Sequence, residues 1–298
     1  MRPVIMALVL GCGFALLCSP WAYSASDAGS PAERLRAFNG AALRLAIEDL
    51  IREFGERYPD GPAYLQALDR YEMWVREMRD AASLSERGGL WGWHPNDPAV
   101  QARVDEILAF QRNALLANPL LDFRRILFVK RSEANLGFPM NWESNSSISR
   151  DGIDNELCML SLDHLDAAPV TVFKPEGGRF VGDVDLHFDG SKMLVSMPGS
   201  HDRWQIWELG ADGSGLRQVT PGAYPDVDNY DACYLPDGRI VFASTRCFQG
   251  IPCVAGSDAV ANLCIMHPDG TGIRMLCFDQ DHNWCPTVLN NGRGLFSP

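Results

Sequence analysis

The side chains best suited to chemistry fall in three repeated stretches in the second half of the chain. Each is an extended segment running into an Asp-Gly, Asn-Gly or equivalent turn, with pivotal glycines at Gly190, Gly238 and Gly292, 48 and 54 residues apart. Seven positions before the glycine stand Asp183, Asp231 and Cys285, and five before it Asp185, Cys233 and Thr287. Three before it are His187, Leu235 and Leu289, and Asp281 and His282 lie just upstream of the third stretch. Strand side chains alternate, so these odd offsets predict one shared face. If the segments are innermost strands, Asp183, Asp185, His187, Asp231, Cys233, Asp281, His282 and Cys285 converge at one channel mouth. Thiolate with imidazole suits zinc, with Cys233, His282 and Cys285 as ligands, and a carboxylate cluster suits a harder cation such as calcium. The plainer reading is that these groups cap strand ends and bond sheet to sheet, because buried polar atoms need partners. The run from Asp226 to Asp231 hints at calcium but lacks the loop glycine and terminal glutamate of an EF-hand.

The elements that must position these residues repeat in two phases. Leu186-His187-Phe188-Asp189-Gly190-Ser191-Lys192-Met193 recurs as Tyr234-Leu235-Pro236-Asp237-Gly238-Arg239-Ile240, and begins again at Val288-Leu289-Asn290-Asn291-Gly292. A second element, Asp212-Gly213-Ser214-Gly215, returns 57 residues later as Asp269-Gly270-Thr271-Gly272. Such dipeptides supply the positive φ that tight hairpins need. Apolar runs at Ile126–Val129, Leu157–Leu160, Val170–Phe173, Met193–Val195, Gln205–Trp207, Ile240–Phe242 and Leu263–Met266 read as strands between them. Two hairpins per ~50 residues make a four-stranded propeller blade. The fold class expected is mainly β, a partial propeller of about three to four blades, truncated because closure takes at least four. A sandwich with coincidental turns is the alternative.

An α-helical region precedes the blades. Leu35, Phe38, Ala42, Leu45, Leu50 and Phe54 predict one helix from residue 31 to the Gly55 break. A second helix is expected from about Ala63 to Leu84, and a third from Asp97-Pro98 to Pro119. Residues 1–24 read as a signal peptide: Arg2, then 16 uncharged residues to Cys18, then the small residues Ala22 and Ser24 ahead of the cut. A retained anchor is the alternative, although a span needs ~20 residues. The organisation expected is therefore signal 1–24, linker 25–30, helical region 31–118 and blades 119–298. The location expected is periplasmic or secreted, with no membrane span after cleavage.

Seven cysteines remain after cleavage, an odd number, with Cys247 near Cys253 and Cys277 near Cys285 as disulfide candidates. Cys158 and Cys264 sit among apolar strand residues and read as small buried hydrophobes. The net charge of −12 excludes a dedicated nucleic-acid binder. No glycine-rich phosphate loop and no Gly-x-Ser-x-Gly elbow supports a nucleotide-dependent or serine-hydrolase reading. His94, His164, His201 and His267 have loop or turn neighbours and read as solvated. Trp91, Trp93 and Trp142 read as core or as a binding surface.

The strand–Asp-Gly–strand units, with Gln218-Val219-Thr220 after Asp212-Gly213, resemble blades of the TolB-type propeller. A longer match runs through Asn118-Pro119-Leu120-Leu121-Asp122-Phe123, Asp183-Val184-Asp185-Leu186-His187-Phe188-Asp189-Gly190, Pro225-Asp226-Val227-Asp228-Asn229-Tyr230-Asp231 and Cys277-Phe278-Asp279-Gln280-Asp281-His282-Asn283-Trp284-Cys285. It resembles the middle propeller region of hydrazine synthase alpha-subunit-like proteins. That resemblance implies a periplasmic multi-blade propeller, in the enzyme combined with c-type haem. No Cys-x-x-Cys-His occurs here, so no covalent haem site carries over. The function expected is an exported propeller domain binding a protein partner or small ligand at its channel face. The alternative is a metal- or redox-dependent periplasmic enzyme using the Asp/His/Cys group at the mouth.

Overall fold

The computed structural model of the protein describes residues 5–7, 31–85, 97–139, 143–164, 167–289 and 291–297. Most of the expected signal peptide with its cleavage point, the linker, His94 and the three tryptophans Trp91, Trp93 and Trp142 lie outside them. The chain divides into two units, one of residues 10–122 and one of residues 123–298 with the first nine residues.

In the first unit, α1 (Pro31–Arg34) ends early and α2 (Gly40–Phe54) starts afresh. The single helix expected from residue 31 is thus broken. Phe38 is extended, and Asn39 accepts from the Ala42 amide at 3.0 Å, the role of an N-cap. Then come α3 (Gly61–Ser85), with Pro62 in its first turn, and α4 (Pro98–Leu116), capped by Asp97. Their apolar stripes meet in one core of Leu43, Ile47, Leu50, Leu68, Val75, Val104 and Ile107. Within it the Tyr58 hydroxyl donates to the Ala114 carbonyl at 2.8 Å. No helix among the described residues is long and apolar enough to cross a membrane.

The second unit is mainly β. Strand β1 (Ile5–Ala7), inside the segment read as a signal, runs parallel beside β2 (Arg125–Lys130). Then β3 (Glu156–Ser161) and β4 (Val170–Phe173) complete the first sheet. The second sheet is β5 (Gly182–Leu186), β6 (Lys192–Pro198), β7 (Trp204–Gly210) and β8 (Arg217–Gln218), in that order. The third repeats it with β9 (Asn229–Tyr234), β10 (Ile240–Ser244), β11 (Asn262–Met266) and β12 (Arg274–Met275). A fourth begins with β13 (Trp284–Val288) and β14 (Gly294–Ser297).

Consecutive sheets pack face against face. Leu127 and Leu157 of the first meet Val195 and Leu209 of the second, and Leu194 and Ile206 of the second meet Phe242 and Cys264 of the third. Cys233, Val241 and Leu263 of the third meet Val288 of the fourth. Strand β9 lies against both β5 and β13, so the first strands of successive sheets are neighbours. This serial stacking is propeller construction, and the sheets do not close a ring: the fold is a partial β-propeller preceded in sequence by helices. The hairpin repeat is functional to the packing. Gly213 and Gly270 sit at φ +84° and +83°, and a Cβ on either would fall 2.2 or 2.1 Å from a carbonyl of the preceding sheet, Val172 or Val219.

Candidate functional site

The first strands of the second, third and fourth sheets carry the same irregularity at the same place. Between β5 and β6 the register steps from Gly182↔Ser196 to Asp185↔Leu194, three residues against two. The steps from Tyr230↔Ala243 to Cys233↔Val241, and from Trp284↔Ser297 to Thr287↔Leu295, have the same count. The second, third and fourth sheets therefore each hold one extra residue on their first strand, a β-bulge. A residue of each bulge is left-handed: Asp183 at φ +48°, Asp231 at +54° and Cys285 at +50°. These are the residues seven positions before the turn glycine. The expectation of one shared face for offsets seven, five and three needs correction, because an added residue reverses the alternation between the first two.

The bulges join neighbouring sheets. Asp231 Oδ2 accepts the Cys285 amide at 2.5 Å, and the Asp231 amide donates to Ser196 Oγ at 2.8 Å. Ser196 also hydrogen-bonds the Asp183 carboxyl, which accepts from Asn145 Nδ2 at 2.5 Å. One residue pair further on, Asp185 Oδ2 accepts the Tyr234 amide at 2.9 Å. The Ser196 hydroxyl thus links the Asp183 carboxyl to the Asp231 backbone amide across two sheets. Burial raises both acids, and Asp231, with Asp183 adding repulsion, reaches about 7. Burial likewise carries Asp185 to about 6. Asp231 therefore changes protonation near neutral pH, where it can accept or give a proton. Ser196 and Asn145 were not singled out from sequence, although Ser196 and Ser244 each stand six residues after a turn glycine.

The other expected members separate. Cys233 is buried among Val241, Leu263 and Ile265, and burial pushes its thiol to about 12, so it stays protonated. His187 turns to its own hairpin, with Nδ1 2.8 Å from Asp189 Oδ1 and its ring edge-on to Tyr234. His282 accepts the Ala261 amide on Nδ1 at 3.0 Å, stacks on Trp284 and interacts with Asp258 and Asp281, not with the bulge carboxyls. With Nδ1 so occupied, neutral His282 carries its proton on Nε2, and ligating a cation there would cost the Ala261 bond. Among the described residues no three His, Cys, Asp or Glu side chains are placed to hold one metal ion.

All seven described cysteines are free thiols, including Cys247, Cys253, Cys277 and Cys285. Cys277 has a specific role. Its thiol donates to Asn262 Oδ1 at 3.3 Å and accepts the Leu263 amide at 3.2 Å, while Asn283 Nδ2 donates to the same Oδ1 at 3.0 Å. One sheet earlier, Thr220 donates to Gln205 Oε1 at 2.5 Å and accepts the Ile206 amide at 3.1 Å, and Asn229 Nδ2 donates to that Oε1 at 3.1 Å. The two latches tie the second sheet to the third and the third to the fourth through equivalent positions. Gln205 and Asn262, like Thr220 and Cys277, are 57 residues apart.

Two depressions flank the fourth sheet. One of about 400 Å³ is lined by Gln249, Gly250, Pro252, Phe278 and Gln280. The other, of about 460 Å³, is lined by residues 279–283 and Phe296.

No family model matches the sequence, and no curated relative does. Among solved structures the chain is similar to a putative TolB from Agrobacterium tumefaciens, at 14% identity over 58% of this chain and 52% of that one, with a TM-score of 0.40. It is similar to Kuenenia stuttgartiensis hydrazine synthase at 17% identity over 59% of this chain and 28% of that one, TM-score 0.45. TolB from Acinetobacter baumannii matches at 16% identity over 48% and 32%, TM-score 0.36. The chain spans about half of the first TolB and less of the others. The propeller assignment rests on the serial sheets themselves.

Proposed function

We propose that this chain is an exported propeller domain of the hydrazine synthase alpha-subunit type, with no covalent haem of its own, that binds a protein partner or small ligand where the bulged ends of β5, β9 and β13 converge. The observation that carries this reading is the repeated left-handed bulge. Non-glycine residues at positive φ store strain, and strain recurring at one place in successive sheets marks a surface kept for use. The two carboxyls there, Asp183 and Asp231, both raised by burial, offer acceptors to a ligand's donor. Sequence supports export through the charge-poor run after Arg2.

The test is retention of periplasmic proteins on tagged wild-type chain and on the double variant Asp183→Asn/Asp231→Asn, quantified by mass spectrometry. A protein held by the first and lost from the second supports the reading, and equal retention refutes it. An alkaline phosphatase fusion to residues 1–30 tests export, with activity expected.

A metal- or redox-dependent enzyme is the second reading, favoured by Asp185 at about 6 and Asp231 at about 7, values matched to proton transfer near neutrality. A stoichiometric metal lost on Cys233→Ser or His282→Ala would move the assignment to that enzyme.

A further inference from the structure

The depression beside β13 and β14 has a composition of its own. Its lining includes Asp281, exposed and without an ion pair among the described residues, together with Asp279 and Phe296. Gln280 is shared with the neighbouring depression, where Phe278 stands 75% exposed. Among the described residues no lysine or arginine lines either. His282, only 8% exposed, forms part of the same wall; its Nδ1 is taken by the Ala261 amide and its Nε2–H has no acceptor. A buried donor without an acceptor is costly, and a ligand that supplies one recovers that cost. The surface thus presents unpaired negative charge, an exposed aromatic face and one buried donor.

We infer that this groove takes a cationic, arginine-bearing peptide segment of a partner protein. Its guanidinium groups meet the Asp281 carboxylate in one depression and the face of Phe278 in the other, which attract them by charge and by the ring quadrupole. A peptide carbonyl accepts from His282 Nε2–H, which a bare cation cannot do. A peptide supplies both groups on one chain, and its charge complements a protein of net charge −12. The inference is independent of the bulge reading: His282 interacts with Asp258 and Asp281, whereas Asp231 interacts with Asp183 and Asp185.

The probe is a fluorescein-labelled, amidated peptide of alternating glycine and arginine, three arginines long, followed by fluorescence anisotropy on the full chain. Its citrulline and glutamate counterparts serve as neutral and anionic controls. Saturable binding of the arginine peptide, weakened about tenfold in Phe278→Ala/Asp281→Asn, is expected on the scale of one exposed ion pair and one exposed cation–π contact combined. The single variant Asp281→Asn, confined to an exposed side chain, is expected to lose part of that affinity and its salt dependence. Glu133→Gln, an exposed acid elsewhere, is expected to leave binding unchanged. Absence of binding, equal binding of the citrulline peptide, or equal weakening by Glu133→Gln would each overturn the inference.

Discussion

Replacing Asp231 by Asn should make the propeller unit more stable at pH 8 and leave it almost unchanged at pH 4. Asp231 is raised from an ordinary 3.8 to about 7, by burial first and by Asp183 second. A carboxyl with a raised folded-state pKa binds a proton in the folded chain while the unfolded chain has already lost it. Its stabilising contribution is therefore fully present below pH ~4 and disappears as pH rises through ~7. Three units at ~1.4 kcal/mol each set a ceiling of about 4 kcal/mol for that loss. The part of that rise owed to Asp183 depends on Asp183's own charge and lowers the figure, so a gain of about 2 kcal/mol at pH 8 is expected for the variant. Asn keeps an acceptor for the Cys285 amide, tolerates positive φ and presents an N–H toward Asp183. Urea unfolding at pH 4, 6 and 8 reads the effect, with part of the pH slope surviving in the variant because Asp185 at about 6 remains. A variant that is less stable than wild type at pH 8, or that keeps the full wild-type slope, would refute the reasoning.

Cys277→Thr should preserve the second inter-sheet latch, because Thr220 already performs that role one sheet earlier, whereas Cys277→Ala should cost about 1 kcal/mol in chemical denaturation. Gly213→Ala should destabilise by more than about 2 kcal/mol, since the methyl meets the Val172 carbonyl and the backbone is left-handed there. Thermal melts with a matched Gly215→Ala variant, where φ is also positive but the space is open, separate the clash from the backbone effect. In the helical unit, Tyr58→Phe should cost about 1 kcal/mol through the lost bond to the Ala114 carbonyl, read by circular dichroism at 222 nm.

The strands were legible in sequence because their apolar runs lie between turns that only a few residue types can make. Ile240–Ser244 and Asn262–Met266 are buried throughout, and the glycine turns recur at 48-, 54- and 57-residue spacings. The bulges were not legible, because an extra residue on one strand is a property of pairing, and Asp, Asp and Cys share no side-chain signature for it. The latches were hidden differently: Gln205 and Asn262, or Thr220 and Cys277, do the same work with different atoms, so a search for identical residues passes over them. Strands β8 and β12 hold two residues each, too few to show a period. In the helical region the apolar rhythm of Leu35, Phe38 and Ala42 continues across the Asn39 cap and masked the break. Of the eight residues expected at the mouth, the bulges bring Asp183, Asp231 and Cys285 together with Asp185 close by. Cys233 went to the core, His187 to its hairpin and His282 to a backbone amide.

The convergence of equivalent strand bulges is tested most directly by following the Asp231 side-chain carboxyl carbon by NMR as a function of pH, in wild type and in Asp183→Asn. The account predicts a midpoint near 7 that moves down when the Asp183 charge is removed. A midpoint at the ordinary 3.8, indifferent to Asp183, would show that the two carboxyls do not meet.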